Sequence, residues 1–387
     1  MKTKKQAAFN VSRTLLLTAT ICSTYMANAS IMDQFTDPQD GRIDASQFIL
    51  DNSTGFLPIP MMITDPAVGV GGGGALLFFH ESEERKQKRE AGEEVADTPS
   101  SVSGLVGLAT DNGTKLYGGF HSGNWLNDRV RYLGGLFKAD VNLNYNFMDD
   151  VKVQVNSDAV YFFQDIDVRL GQSDFFLGGT YTYMQTNNSL PQMNAVVGDS
   201  FAHSIRDQDL ALKLTYDSRN NHLAPTQGTK AGVKVNFHDV DFGMGQPSSK
   251  DHYTKYHTYL HRYDRLSERW GLALRGDVKR VEGDYTFYAR PYVDMRGIAA
   301  MSIQGSNTAL TEVEIGYDLD DRWTLIGFTG VGTAYEDNEG LSRAKWHSTG
   351  GAGFRYLIAR QLGLTTGVDV AVGPQEETVH VQFGGSW

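Results

Sequence analysis

The sequence is poor in cysteine and in long apolar runs, and each of these shortages excludes a class of protein. Its 387 residues include one cysteine, Cys22. A disulfide framework is therefore excluded. No run of 18 apolar residues follows the N-terminal segment, so no transmembrane helix is expected. The net charge of −11 disfavours binding to nucleic acid, which requires basic patches.

The N-terminus has the features of an export signal. A basic start, the apolar stretch 14–22 and the site Ala27-Asn28-Ala29 predict a cleaved signal peptide over residues 1–29. The alternative, a membrane anchor, needs about 20 apolar residues. Cleavage removes four basic and no acidic residues, which leaves 31 basic against 46 acidic side chains and a net charge of −15. The mature chain would contain no cysteine.

Segments whose hydrophobicity repeats with a period of two residues are abundant in the sequence. Apolar and polar residues alternate in many segments, for example Leu210, Leu212 and Leu214 with Lys213 and Thr215. Alternation indicates strands with one apolar and one wet face. Many of these segments reach ten residues, about the length that a tilted strand needs to cross a bilayer. We therefore predict an all-β, antiparallel transmembrane barrel over residues 56–387 rather than a soluble β-sandwich, whose strands are shorter.

Counting back from the C-terminus gives sixteen strands, the even number typical of bacterial barrels. Residues 57–64 supply a short first strand. The last strand, 378–387, is predicted to close the wall with an aromatic end at Trp387. Most short connections then lie on the periplasmic side, with 111–113 as an unusually short outer loop, and the longer ones face outward, at 188–205, 244–252, 283–307 and 336–345. The charged run 81–100 falls on the periplasmic side in this parse and moves outside if the first hairpin is wrong.

Three segments resemble motifs of the BamA/TamA superfamily of outer-membrane barrels. The first, Asp217-Ser218-Arg219 with Pro225-Thr226-Gln227-Gly228, resembles the periplasmic turn of that superfamily. The second, Met295-Arg296-Gly297-Ile298, resembles the motif of the sixth loop, which folds back into the lumen. The third, residues 57–74, resembles the first hairpin of short stand-alone members. Taken together, the resemblance extends over residues 56–387 and implies the barrel fold of that superfamily.

The resemblance also implies roles for single residues. Family members pair the loop arginine with carboxylates on neighbouring strands, so Arg296, Gly297 and Glu314 are expected to lock the loop inside the lumen. The place of a second carboxylate is taken by Gly330, which implies a lock with a single partner. The alternative leaves Arg296 solvated in the loop. Phe383 and Trp387 are expected to form the C-terminal signal that the barrel-assembly machinery reads.

The segment 30–55 before the barrel is too short for a POTRA domain, since independent domains need about 40 residues. Asp44 and Gln47 form a capping box that predicts a short helix over 44–50, inside the lumen or across its periplasmic mouth.

The remaining motif matches lack the structural context that their functions require. The glycines of 69–74 match a dinucleotide fingerprint, but a strand follows where a helix is required. His121-Ser122 are adjacent in a strand and point to opposite faces. We therefore expect no catalytic, metal or cofactor site and no enzyme.

The expected function is that of an integral outer-membrane barrel of a Gram-negative bacterium, in transport or in protein or lipid assembly, with its lumen gated by 283–307. Two alternatives stay open: a non-conducting structural or surface-antigen barrel, and an outer-membrane hydrolase. The expected partners are outer-membrane lipids and lipopolysaccharide, the barrel-assembly machinery during biogenesis and a periplasmic partner protein. Nucleic acid is not among them.

Overall fold

The computed structural model describes residues 35–51, 57–65, 68–80, 91, 101–147, 151–190, 203–243, 249–285, 289–374, 377–385 and 387. The predicted signal peptide, 1–29, lies outside these residues. So does the charged run 81–100, apart from residue 91. None of the described helices is long and apolar enough to cross a membrane.

Sixteen strands form one antiparallel sheet in which each strand pairs with its neighbours in the chain. The strands are β1 (Leu57–Asp65), β2 (Gly69–His80), β3 (Ser101–Thr110), β4 (Lys115–Trp125), β5 (Val130–Phe147), β6 (Val151–Arg169), β7 (Phe175–Ser189), β8 (His203–Asp217), β9 (Gly228–Gly243), β10 (Ser249–Arg265), β11 (Trp270–Gly283), β12 (Asn307–Asp318), β13 (Trp323–Tyr335), β14 (Trp346–Ala359), β15 (Leu364–Val372) and β16 (Glu377–Phe383). The predicted sixteen-stranded antiparallel barrel, including its short first strand, is confirmed.

The barrel is nearly closed where β1 meets β16. No ladder joins these two strands within the described residues. Instead, Leu57 and Ile59 of β1 are buried in an apolar cluster against which Phe383 of β16 packs. Side-chain packing therefore holds the seam, while the other strand pairs are held by backbone hydrogen bonds.

The alternation along the strands separates an apolar outer face from a polar lumen. Leu210, Leu212 and Leu214 of β8 are 58%, 60% and 40% exposed on the outside. Lys213, between them, faces inward and bonds to carboxylates of β6. On the outer face, aromatic pairs line the rim at the end with the short turns: Trp125–Tyr132, Phe175–Tyr216, Trp270–Tyr317 and Trp323–Tyr356. Such a girdle is typical of membrane barrels.

The last strand differs from its prediction. β16 ends at Phe383, because Gly384 adopts a left-handed conformation (φ 81°) that turns the chain away from the wall. The Leu223 carbonyl of the turn after β8 then accepts the N–H of Gly385 at 2.5 Å. Trp387 lies inside the lumen, 6.2 Å from His261 and 6.3 Å from Tyr263 between ring centroids. The expectation that Trp387 closes the wall is wrong.

The segment before the barrel contains the helix α1 (Ser46–Asp51), near the predicted 44–50. Its start is fixed by Asp44, whose carboxylate accepts the N–H of Ser46 at 2.6 Å. The segment crosses the mouth with the short turns, where the N–H of Ala45 donates to the Ile358 carbonyl at the end of β14. Two short 3-10 turns, Leu341–Arg343 and Arg360–Leu362, follow β13 and β14.

Candidate functional site: a loop held inside the barrel

The connection between β11 and β12 folds into the lumen. Its described part, 284–285 and 289–306, forms a short antiparallel contact in which Val293 donates its N–H to Ile303 at 2.9 Å. Val293 and Met295 are buried against Leu310 of β12. We call residues 284–306 the lumenal loop. Because its apolar side chains lie on the wall, the loop occupies space that a pore would need.

Arg296 anchors the lumenal loop through carboxylates of the wall. The side chain is 7% exposed, and its guanidinium donates to Glu314 at 2.7 Å and to Asp369 at 2.9 Å. Its Nε lies 3.5 Å from a carboxylate oxygen of Glu312. The pair expected between Arg296 and Glu314 is thus present. The expectation of a single partner is wrong, since Asp369 of β15 supplies a second hydrogen bond.

Gly330 explains why the second carboxylate partner of Arg296 does not come from β13. A Cβ at this position would stand 2.6 Å from the Glu312 side chain and 3.1 Å from the sulfur of Met295. A side chain on β13 here would therefore displace the loop. The position next to the guanidinium is instead reached from β15, by Asp369, which is fully buried.

Aromatic rings and further arginines complete the pocket. The Arg296 guanidinium stacks 3.6 Å above the centre of the Phe328 ring and lies 5.6 Å from that of Trp387. Arg355 donates to Asp369 at 2.6 and 2.9 Å. Arg275 donates to Glu312 at 2.9 Å. Three arginines thus face three carboxylates, and this balance offsets much of the desolvation of burying them.

Gly297 allows the loop to approach β15 closely. Its φ of 87° lies in the left-handed region, and a Cβ would stand 3.1 Å from the backbone nitrogen of Gly373. Any other residue would be strained and would also collide with the strand end. Arg296 and Gly297 therefore have complementary structural roles, one as an ionic anchor and one as a close backbone contact. Their role as a lock stays a prediction.

The turn motif after β8 is built around Asp217. This carboxylate accepts hydrogen bonds from Arg219 at 2.8 and 3.0 Å and from Arg131 at 2.7 Å. Gly228 has φ 104°, and a side chain there would meet the Ser218 carbonyl. A Cβ at Gly385, beyond the last strand, would lie 3.0 Å from Pro225 of this turn, and the N–H of Gly385 donates to the Leu223 carbonyl. The turn therefore reaches from β8 to the opposite end of the sheet and crosses the mouth of the lumen.

A second ionic cluster, the mouth latch, consists of Arg322 with Asp37, Asp40 and Asp44. Arg322 precedes β13 and is 1% exposed. It donates to Asp40 at 2.7 Å, to Asp44 at 2.5 Å and also to Asp37. Sequence reasoning missed this cluster. The available signal was the close spacing of Asp37, Asp40 and Asp44 in the sequence. The cation that these aspartates surround is the guanidinium of Arg322.

The mouth latch should resist acid. The hydrogen bond from Arg322 lowers the pKa of Asp40 to about 2. Burial acts to raise the pKa of Asp44, but hydrogen bonds from Ser46 and Arg322 outweigh it and the pKa is lowered. Groups with depressed pKa values stabilise the folded state above their ordinary pKa, near 3.8, and lose that contribution as the pH falls through the depressed value.

We therefore expect residues 35–46 to stay docked at pH 4 and to release as the pH approaches 2. The amide of Ala45, bonded to Ile358, reports docking through its hydrogen exchange, corrected for the intrinsic rate at each pH. As a control, amides in the middle of β8 should keep their protection. Loss of Ala45 protection already at pH 5 would contradict the proposed stability of the mouth latch.

The outer wall carries a serine between two histidines. The hydroxyl of Ser103 lies 2.8 Å from Nε2 of His80 and 2.9 Å from Nδ1 of His121. Cross-strand register brings them together, so the sequence neighbour Ser122 was the wrong serine to consider. Among the described residues neither histidine has a carboxylate partner, and the same residues contain no group of three metal-ligating side chains. The cluster lacks the orienting acid of a hydrolytic triad.

Comparison with solved structures identifies the fold. No family model and no curated protein sequence matches the chain. BamA from Haemophilus ducreyi lacking POTRA domains 1–3 superposes with a TM-score of 0.50 at 14% identity, over 84% of this chain and 68% of that one. CdiB from Escherichia coli gives a TM-score of 0.55 at 10% identity, over 84% and 61% of the two chains. This chain has the BamA–CdiB barrel fold.

The BamA–CdiB fold agrees with the barrel fold that the three sequence motifs imply. CdiB from Acinetobacter baumannii agrees, with a TM-score of 0.52 at 9% identity over 85% of this chain and 58% of that one. The chain thus spans about three fifths of the length of the two CdiB structures. At such identities the likeness concerns the architecture of an outer-membrane β-barrel.

Proposed function

We propose that this protein is an integral outer-membrane barrel of a Gram-negative bacterium whose lumen is a pathway gated by the lumenal loop. The observation that carries the proposal is the position of Arg296, buried inside the lumen on Glu314 and Asp369. In a loop that lies only on the surface, the arginine would remain in solvent, because burial of a charge is unfavourable without partners. The pathway would serve transport or the assembly of protein or lipid.

The loop and its pocket have the properties of a two-state element. The loop is joined to the wall mainly by one ionic anchor and a small apolar cluster, Val293, Met295 and Leu310. A partner or substrate that replaces these contacts would shift the loop toward an open position in proportion to its preference for that state. The partners we propose are outer-membrane lipids and lipopolysaccharide, the barrel-assembly machinery during biogenesis and a periplasmic partner protein.

Deletion of 289–303 tests the proposal. The variant removes Arg296 and the apolar contacts but keeps β11 and β12, so the barrel should still fold. In planar bilayers we expect its single-channel conductance to exceed that of the unmodified protein, which should be closed for most of the time. Heat-modifiable migration on gels verifies folding. Folded protein that gives no current with or without the loop would overturn the gated pathway.

A second candidate is a plugged barrel with a structural or surface role. It is favoured by the mouth, where residues 35–46, the turn 218–227 and the C-terminal Gly384 and Gly385 contact one another or the rim. These segments obstruct the lumen independently of the lumenal loop. The absence of current after deletion of 289–303 is the result that this candidate predicts, so one experiment separates the two.

We propose no enzymatic activity. The closest arrangement to a catalytic site is Ser103 with His80 and His121, and it lacks an orienting carboxylate among the described residues. The backbone N–H groups around Ser103 belong to strand ladders, so no oxyanion site is free there. Hydrolysis of ester substrates by the purified barrel that is abolished by Ser103→Ala would contradict this proposal.

A further inference from the structure

A row of basic side chains, three lysines and one histidine, crosses the lumenal wall. Strand register places Lys213 of β8 opposite Lys234 of β9, Lys234 opposite His257 of β10, and His257 opposite Lys279 of β11. Neighbouring strands lie about 4.8 Å apart, so these side chains share one level of the lumen. Like charges directly opposite one another, as Lys213 and Lys234 are, destabilise a sheet. This pair of lysines is therefore unfavourable for folding alone.

Only part of the row is neutralised. Lys213 lies 2.9 Å from Asp167 and also contacts Asp165. For Lys234, Lys279 and Lys230, the described part of the chain provides no carboxylate within ion-pair distance. Lys230 and Lys279 instead face tyrosine rings, Tyr259 and Tyr292, at 5.9 and 5.7 Å. Three ammonium groups on one wall thus have no anionic partner there.

These lysines line a cavity of about 680 Å³ between the wall and the lumenal loop. Its lining contains Lys213, Arg275 and Arg296, which have the carboxylate partners described above, and also Lys230, Lys234 and Lys279, which have none among the described residues. Buried donors also face it: among the described residues, Nε1 of Trp387 and Nη2 of Arg296 have no hydrogen-bond acceptor. Unmatched cations and donors together indicate a site for an acceptor with negative charge.

We propose that this cavity binds a phosphate-bearing ligand. A phosphate or diphosphate offers several charged oxygens, and ammonium groups on adjacent strands can each bind one of them. Lys230, Lys234 and Lys279 supply the charge, and the indole N–H of Trp387 supplies a directional donor. The ligand would contact Trp387 and, through the cavity, the loop that carries Arg296. The site goes beyond the proposed function and does not depend on conduction, because binding is measured on the closed protein.

The test uses inorganic pyrophosphate and the full folded barrel in a detergent without phosphate groups. Equilibrium dialysis should show saturable binding of one pyrophosphate. The double variant Lys234→Gln/Lys279→Gln should bind at least tenfold more weakly, since it removes two charged hydrogen-bond donors from the site. Lys255→Gln is the matched control: Lys255 also faces the lumen, over the Tyr253 ring at 5.3 Å, but does not line the cavity. Its affinity should be unchanged.

Folding and ligand source are separated by two further measurements. Without ligand, the double variant should unfold at the same temperature as the unmodified protein or higher, because like charges have been removed. Displacement of pyrophosphate by short-chain phosphatidic acid at least tenfold better than by glycerol phosphate would support a lipid headgroup as the ligand. Equal displacement would support a free phosphate compound. Binding that is not saturable, or is equal in the double variant and the unmodified protein, would overturn the site.

Discussion

Arg322→Met is expected to release the segment before the barrel and to lower the free energy of unfolding by about 3–5 kcal/mol, the usual consequence of removing one partner of a buried ion cluster. The variant leaves Asp37 and Asp44, both under 10% exposed, without their main cation. Arg360 still reaches Asp37 and Asp40. It is only partly buried, however, and lies at one side of the cluster.

Two measurements follow this release. Trypsin should cleave after Arg42 in the variant many times faster than in the unmodified protein, and urea unfolding in detergent should show the lower stability. Arg42→Met is the matched control for stability, since Arg42 pairs with Asp320 at 2.8 Å in an exposed position. Exposed pairs contribute less than about 1 kcal/mol. If both variants lose the same small amount of stability, the mouth latch does not hold the segment.

Arg296→Met should free the lumenal loop from its pocket. Glu314 would lose its ion pair at 2.7 Å while the more distant one with Arg355, at 3.8 Å, remains, and the stacking on Phe328 would be lost. A loss of about 3–5 kcal/mol in the docked state would shift the ratio of open to docked loop on the order of 100- to 4,000-fold. In planar bilayers this shift should appear as longer and more frequent open periods, with a single-channel conductance near that of the 289–303 deletion.

The same loop provides the control for Arg296. Arg290 pairs with Glu336 at 2.6 Å, and both side chains are about one third exposed. Arg290→Met removes an equal charge from the same segment at a site where ion pairs contribute little. Its open probability should match that of the unmodified protein. Equal open probabilities for Arg296→Met and Arg290→Met would show that Arg296 is not the anchor.

The sequence predicts the wall of this barrel well because strand formation is local. Period-two alternation and turn residues are set within ten residues, and they place the strands within a few positions of the structure. The end of β16 is an exception. Val379, Val381, Phe383 and Trp387 keep the alternation, but Gly384 adopts a left-handed conformation that a pattern of hydrophobicity does not encode. The terminal tryptophan therefore turns inward.

The sites depend on contacts that are distant in sequence. Resemblance to a known motif predicts the pair Arg296 and Glu314, but Asp369, 73 residues from Arg296, is visible only once β15 and the loop are placed together. Arg322 bonds to aspartates about 280 residues away. Ser103 meets His121 because of the register between β3 and β4. No local pattern carries any of these three contacts.

The central claim, that movement of the lumenal loop opens the lumen, is tested most directly by a reversible tether. A Cβ at Gly332 would lie 2.6 Å from Cγ1 of Val293, so Val293→Cys with Gly332→Cys can form a disulfide between loop and wall. The variant that carries these two cysteines also carries Cys22→Ser. We expect the oxidised channel to show no openings and a reducing agent to restore them in the same bilayer. Identical currents before and after reduction of a fully formed disulfide would contradict it.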